Sequence, residues 1–160
     1  MLMRLRQQAQ YEHDFQNHLD ILSLSRIDRL KHYGLHFAKY AGRLARGEAE
    51  VKSRTETLVD AFLVVLSAAN ALNQSLSDIS DTMDRSKLID LAFTDQAGRF
   101  ADACEKIDHL EEFREIALYA NAALALWIEH SAVMAKLDID DLIDKRRRQL
   151  AQRAVYAPNF

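Results

Sequence analysis

The sequence predicts an all-α fold, and three observations predict it. Turn residues are scarce, with Gly 4 and Pro 1 in 160 residues, and a β fold needs many more. Apolar residues recur at three- and four-residue spacing over long stretches, the period of one helix face. Residues that start and stop helices bracket those stretches. The length, with 49% hydrophobic residues, suits one domain over residues 1–160 with a sizeable core.

The first segment, Met1 to about Leu24, is polar with scattered Phe15, Leu19 and Leu22. It predicts a short helix over Tyr11–Leu22. Asp14 and His18 are four apart and could pair on its face, but two lone residues make half a metal site at best.

Ser25 reads as an N-cap, with Asp28 three residues on completing an approximate capping box. The helix that follows runs to Arg46, with Gly47 as its stop. Ile27, Leu30, Gly34, Phe37, Ala41 and Leu44 form its core stripe. Arg29, His32, His36, Lys39, Arg43 and Arg46 form a second, basic stripe at the same spacing. That stripe reads either as a solvated face or as an anion platform, where arginine forks bind strongly. His32 and His36 resemble half of a zinc site, with no third ligand in sequence reach.

Gly47 to Arg54 is a polar link. Glu56 to Leu76 is apolar nearly all round, as a central bundle helix is, and Asp60 is the exception inside it. A buried carboxylate needs a partner or must neutralise. Ser77 to Arg85 is acidic and serine-rich and reads as a loop. Ser86 starts a third long helix, ending near Glu105 or as late as Glu112. A fourth spans Phe113 to Met134. Asp138 or Asp140 caps a last helix over Asp141–Arg153. Its Lys145-Arg146-Arg147-Arg148 run suits the helix dipole. No aromatic residue interleaves with the run as it would for nucleic-acid binding.

Ala41-Gly42-Arg43-Leu44-Ala45 reappears as Ala97-Gly98-Arg99-Phe100-Ala101. The run from Asp60 to Leu66 likewise resembles Asn121 to Trp127. A duplicated helical hairpin, residues 25–78 and 86–141, would give a four-helix bundle with a pseudo-two-fold axis.

Two of these segments resemble the motif helices of the MazG-like, all-α nucleoside triphosphate pyrophosphohydrolases. Leu35-His36-Phe37-Ala38-Lys39-Tyr40-Ala41-Gly42-Arg43-Leu44 is similar to that family's L-x-L-A-E-E-x-G-E-L. Glu56 to Leu76 is similar to its E-x-x-D-V-L-x-x-L-x-x-L-A-x-x-L-G. The resemblance implies a four-helix-bundle core with extra short N- and C-terminal helices, a homodimer, and a magnesium site built from E-x-x-E and E-x-x-D pairs. Magnesium demands hard oxygen ligands near octahedral geometry. Here the four positions read Tyr40, Arg43, Thr57 and Asp60, so one acid remains. Their counterparts in the second repeat are Gln96, Arg99, Leu118 and Asn121.

The resemblance therefore implies a degenerate magnesium site in a non-catalytic nucleotide- or anion-binding or assembly protein, with no metal or cofactor. The ligand-binding candidates are His36, Lys39, Tyr40, Arg43, Asp60, Arg99 and Asn121. Arg43 should take the metal's place in an ion pair with Asp60, with Tyr40 donating its hydroxyl to the site. A second reading is an active magnesium-dependent pyrophosphohydrolase whose acids have moved to Glu56, Asp60, Asp102 and Glu105. A third is a purely structural helical bundle.

Other signals set bounds. A net charge of −3 predicts no general attraction to nucleic acid or acidic membranes. The lone Cys104 points to a reducing compartment, and the polar first ten residues do not read as a signal peptide, so a cytoplasmic location is expected. The apolar stretches Ala61–Leu72 and Ile116–Ile128 fall short of the ~20 residues that span a bilayer. The sequence has no P-loop, dinucleotide-binding or metalloprotease motif.

Overall fold

A computed structural model describes residues 2–78 and 89–153. Among the described residues seven α-helices follow one another: α1 (Leu2–Asn17), α2 (Leu19–Leu22), α3 (Arg26–Arg46), α4 (Arg54–Leu72), α5 (Asp90–Asp108), α6 (Arg114–Met134) and α7 (Ile139–Ala151). Short 3₁₀ turns lie at Gly47–Ala49 and Leu76–Asp78, and no strand occurs among the described residues. The expected start of the third long helix at Ser86, and most of the expected loop before it, lie outside the described residues.

Caps set the helix ends. Ser25 accepts the Asp28 backbone N–H at 3.1 Å, and Gly47 closes α3 at φ 53, a left-handed conformation that glycine adopts without penalty. The α4 helix starts at Arg54, two residues before the position expected, because Ser53 and Glu56 form a full capping box. It stops at Leu72, short of Leu76, because Asn73 turns left-handed at φ 52. Of the two expected caps for α7, Asp138 is the one used; it accepts from the Asp141 N–H.

The α3–α4 hairpin packs on α5 and α6, with α3 against α5 and α4 against α6. The centre is aromatic. Phe37 meets Phe100 edge-on at 4.9 Å, and Phe93 meets Trp127 at 5.0 Å. All four are fully buried, with Phe62 beside them. α4 also touches α1 and α7, which explains why it is apolar on nearly every side. Taken as whole helices, α4 and α6 reach the length and apolarity of a membrane span, but 72% and 50% of those windows are buried against neighbouring helices. Ile27 departs from the expected core stripe of α3: it lies in the first turn, two residues after the N-cap, and is exposed.

The N-terminal segment differs most from expectation. Its helix runs from Leu2 to Asn17, breaks at His18 and adds the single turn α2. The buried face of α1 is polar: Arg6, Gln10, His13 and Asp14 point inward, while Leu5, Tyr11 and Phe15 are exposed. Apolar periodicity cannot register a helix that docks by its polar side. Arg6 holds α1 in place, donating to both oxygens of Asp140 at 2.7 and 2.9 Å and to Glu129 at 2.6 Å. Its guanidinium also lies 5.4 Å from the Phe62 ring centroid.

Candidate functional site

α1, α2, α3, α4 and α7 enclose a cavity of about 260 Å³. Its mouth is set by Asp60, the one acid inside the apolar run of α4. Arg146 Nε on α7 donates to Asp60 Oδ1 at 2.7 Å. Lys52 Nζ, from the α3–α4 link, donates to Oδ2 at 3.0 Å, and Arg43 NH1, from α3, reaches the same oxygen at 3.4 Å. The Asp60 side chain is 10% exposed, and those of Arg43 and Arg146 are 18% and 17% exposed. Burial pushes the Asp60 carboxyl up, but hydrogen bonds from Lys52 and Arg146 outweigh it and hold the group below the usual carboxylate range.

Lys39 stands on the same rim and has no carboxylate in ion-pair contact among the described residues. Its ammonium lies 4.9 Å from the Tyr40 ring centroid and 3.0 Å from His36 Nδ1. Burial, then the charge of Arg43, lowers the Lys39 pKa, as crowding by like charges does. Four cations therefore gather at a mouth whose lining carries one carboxylate, with Glu50 near Arg43 and Glu56 near Lys52 just outside that lining. Positive charge exceeds negative there, in partly dehydrated surroundings where a bound anion is attracted more strongly than in water.

The expected Arg43–Asp60 pair is present, but it is the longest of the three contacts to that carboxylate. The expected role of Tyr40 is corrected. Its hydroxyl lies 3.1 Å from His36 Nδ1, one helical turn back on α3, and not on Asp60. Burial, then Lys39 and His32, pushes the His36 imidazole down to about 4. Lys39 can only donate, so Nδ1 is the unprotonated nitrogen of the neutral ring, and its one lone pair lies within reach of both Lys39 Nζ and the Tyr40 hydroxyl.

His36, Lys39, Tyr40, Arg43 and Asp60 line one cavity. The middle of the basic stripe of α3, His32 to Arg43, thus lines a pocket, while Arg29 at its start lies outside the lining and exposed Arg46 at its end pairs with Glu50. Arg99 and Asn121 are not brought to the site. Arg99 is exposed on α5 and pairs with Asp95 at 3.0 Å. Asn121 is fully buried, donating to the Val65 carbonyl at 3.2 Å and to Gln74 at 2.9 Å.

The relocated-acid set also comes apart. Glu56 accepts from the Ser53 N–H and hydroxyl at 2.9 Å each, in the capping box. The inner face of α5 is filled by Phe93, Ala97, Phe100, Ala103 and Ile107, which leaves Asp102 and Glu105 on its exposed side. No group of three or more His, Cys, Asp or Glu among the described residues is placed to hold a metal ion.

Sequence reasoning missed Arg146 and Lys52. In sequence the basic run on α7 has the signature of a C-terminal charge cluster that suits the helix dipole. Helical period would have separated its members: Arg146 follows Leu142 and precedes Leu150 at four-residue steps, on the side that faces α4. Arg147 is also turned inward; it is buried and donates to Gln10 and to the Arg6 carbonyl. Asp14 and His18, considered above as a metal pair, both line the cavity at its far end. No protein-family model matches the chain, and no curated protein or solved structure matches it.

Proposed function

We propose that this chain is a MazG-like helical protein that binds a nucleotide or another organic phosphate at the cavity between α3, α4 and α7, without magnesium and without hydrolysing it. The observation that carries this reading is the convergence of Arg43, Lys52 and Arg146 on the single carboxylate of Asp60. Guanidinium forks and ammonium groups recognise phosphate oxygens directly. The positions where the family resemblance places metal-binding acids carry Tyr40, Arg43 and Thr57 here, which supports charge recognition by side chains in place of the ion. The same resemblance carries one further part of the proposal, a homodimer, and the lone Cys104 carries another, a cytoplasmic location. Light scattering on the purified chain reads the first.

Calorimetry with inorganic phosphate and a panel of nucleoside mono-, di- and triphosphates, in chelator, tests the reading. Binding should occur without metal and weaken as salt rises. It should be lost in Arg43→Gln with Arg146→Gln, and in His36→Gln with Lys39→Gln, while the circular dichroism stays helical. Magnesium alone should show no site tighter than about 1 mM, roughly −4 kcal/mol. Absence of metal-free binding would leave the chain a structural bundle. A micromolar magnesium site with pyrophosphate release would make it an enzyme.

A further inference from the structure

The cavity has a second end. Along α4, Asp60, Leu63, Val64 and Ser67 all line it, at the i, i+3, i+4, i+7 spacing of one helix face. Seven residues of α-helix rise about 10 Å, so the pocket runs roughly that far from the cationic mouth to Ser67. There the Ser67 hydroxyl donates to Asp14 Oδ2 at 2.6 Å, and Gln10 Nε2 donates to Oδ1 at 2.9 Å.

Asp14 is 7% exposed and has no cation in ion-pair contact among the described residues. Arg147 makes no direct contact with it: it donates at 3.0 Å to the Gln10 oxygen, and its charge acts on Asp14 through space, offsetting less than burial costs. A buried carboxylate without a cation is costly. Its two oxygens offer about four acceptor positions, and the protein supplies two donors. Burial pushes its carboxyl pKa up, the response of an acid whose charge is under-compensated. Between the two ends the walls are aromatic on α3, from Tyr33 to Tyr40, and aliphatic on α4, from Leu63 and Val64. The volume of about 260 Å³ sits just below the ~300–1,000 Å³ common for small-molecule pockets, so the occupant is compact.

The geometry points to an amino-bearing organic phosphate as the occupant: its anionic group sits at Arg43, Lys52 and Arg146, its flat apolar body lies along α4, and an N–H donor about 10 Å from the phosphate is received by Asp14. This rests on the anion-site reading and adds the polarity of the far end of the ligand. Asp14 is the specificity-determining residue, because a ligand lacking the donor leaves its remaining acceptor positions empty in a dry site.

Calorimetry with three probes separates the two levels: inorganic phosphate, phenethyl phosphate and para-aminophenethyl phosphate. Wild-type protein should bind the amino probe roughly tenfold or more tightly than its amine-free partner, the scale of one hydrogen bond to a charged group. In Asp14→Asn that preference should fall to about twofold or less, because one neutral amide oxygen replaces two charged acceptors and the amide adds donors of its own, while affinity for inorganic phosphate stays within about twofold, as for sites ~10 Å apart. The wild-type comparison needs no variant, so a poorly folding Asp14→Asn leaves the inference testable. Equal affinity for the two aryl phosphates, with inorganic phosphate still bound, overturns this inference alone. A preference that persists in Asp14→Asn removes Asp14 as the reader. No binding of any of the three probes overturns both levels.

Discussion

Asp60 on α4 and Arg146 on α7 meet at 2.7 Å across 86 residues of chain. This pair, together with Lys52, ties the α3–α4 link and α7 to one carboxylate in the middle of the apolar helix. Arg43 adds a third and longer contact. The order of these distances decides where coupling should be largest. In double-mutant cycles, Asp60→Leu with Arg146→Met should show a coupling of about 1–3 kcal/mol, and Asp60→Leu with Arg43→Met a smaller one. Arg43 and Lys52 keep their charges in every variant of this first cycle, so the double should cost less than the sum of the two singles and not less than either one. Denaturant melts of the six proteins measure this. Additive losses for Asp60 and Arg146 would remove the pair as a structural tie.

His36 gives the site an acid limit. Its folded pKa, about 4, lies below the ~6.5 of a free imidazole, so the unfolded chain binds the proton more readily. The stability this group contributes is complete above pH ~6.5 and is lost as pH falls toward 4. Protonation also deprives Tyr40 and Lys39 of their shared acceptor. His13, likewise pushed by burial to about 4, acts with the same sign. Melting temperature should therefore decline across that window, and the decline should be shallower in His36→Gln. An NMR titration of His36 with its midpoint at 6.5 or above would contradict the buried, neutral ring.

Two glycines separate helix propensity from packing. A Cβ at exposed Gly98 on α5 meets nothing within 4 Å, so Gly98→Ala should stabilise by about 0.5–1 kcal/mol. A Cβ at Gly34 on α3 would stand 3.2 Å from Cys104 Sγ and 3.6 Å from the Phe100 ring. Gly34→Ala should therefore realise little of the same gain alone and more of it in a Cys104→Ala background. Equal gains in both backgrounds would show that α3 and α5 are not in close contact there.

The Ser53 cap carries the start of the site-bearing helix. Ser53→Ala should cost about 1 kcal/mol, because it removes the acceptor for the Glu56 N–H and one of the donors to the Glu56 side chain. Ser53→Gly should cost only a few tenths. Hydrogen exchange at the first turn of α4 reads the fraying directly, and unchanged protection in Ser53→Ala would show that the cap is dispensable.

The sequence by itself determined the long helices from α3 onward and the ends of α3 and α6. Ser25, Gly47 and Asp138 act locally, through hydrogen bonds and backbone angles within a few residues, and the apolar surround of α4 already marked it as central. Five side chains of the pocket were legible: His36, Lys39 and Arg43 share the basic stripe of α3, Asp60 interrupts an apolar run, and Tyr40 stands at a position that the family resemblance singles out. Only the tertiary structure decided which cations reach Asp60, since Lys52 lies in an irregular link and Arg146 lies a helix pair away in sequence. It also decided that α1 docks by Arg6, Gln10 and Asp14, because a polar face has no periodic signature until a partner such as Asp140 or Ser67 is set opposite it. Arg99 and Asn121 show the converse: a local likeness to Arg43 and Asp60 fixes the helix but not the neighbours, and neighbours make the site.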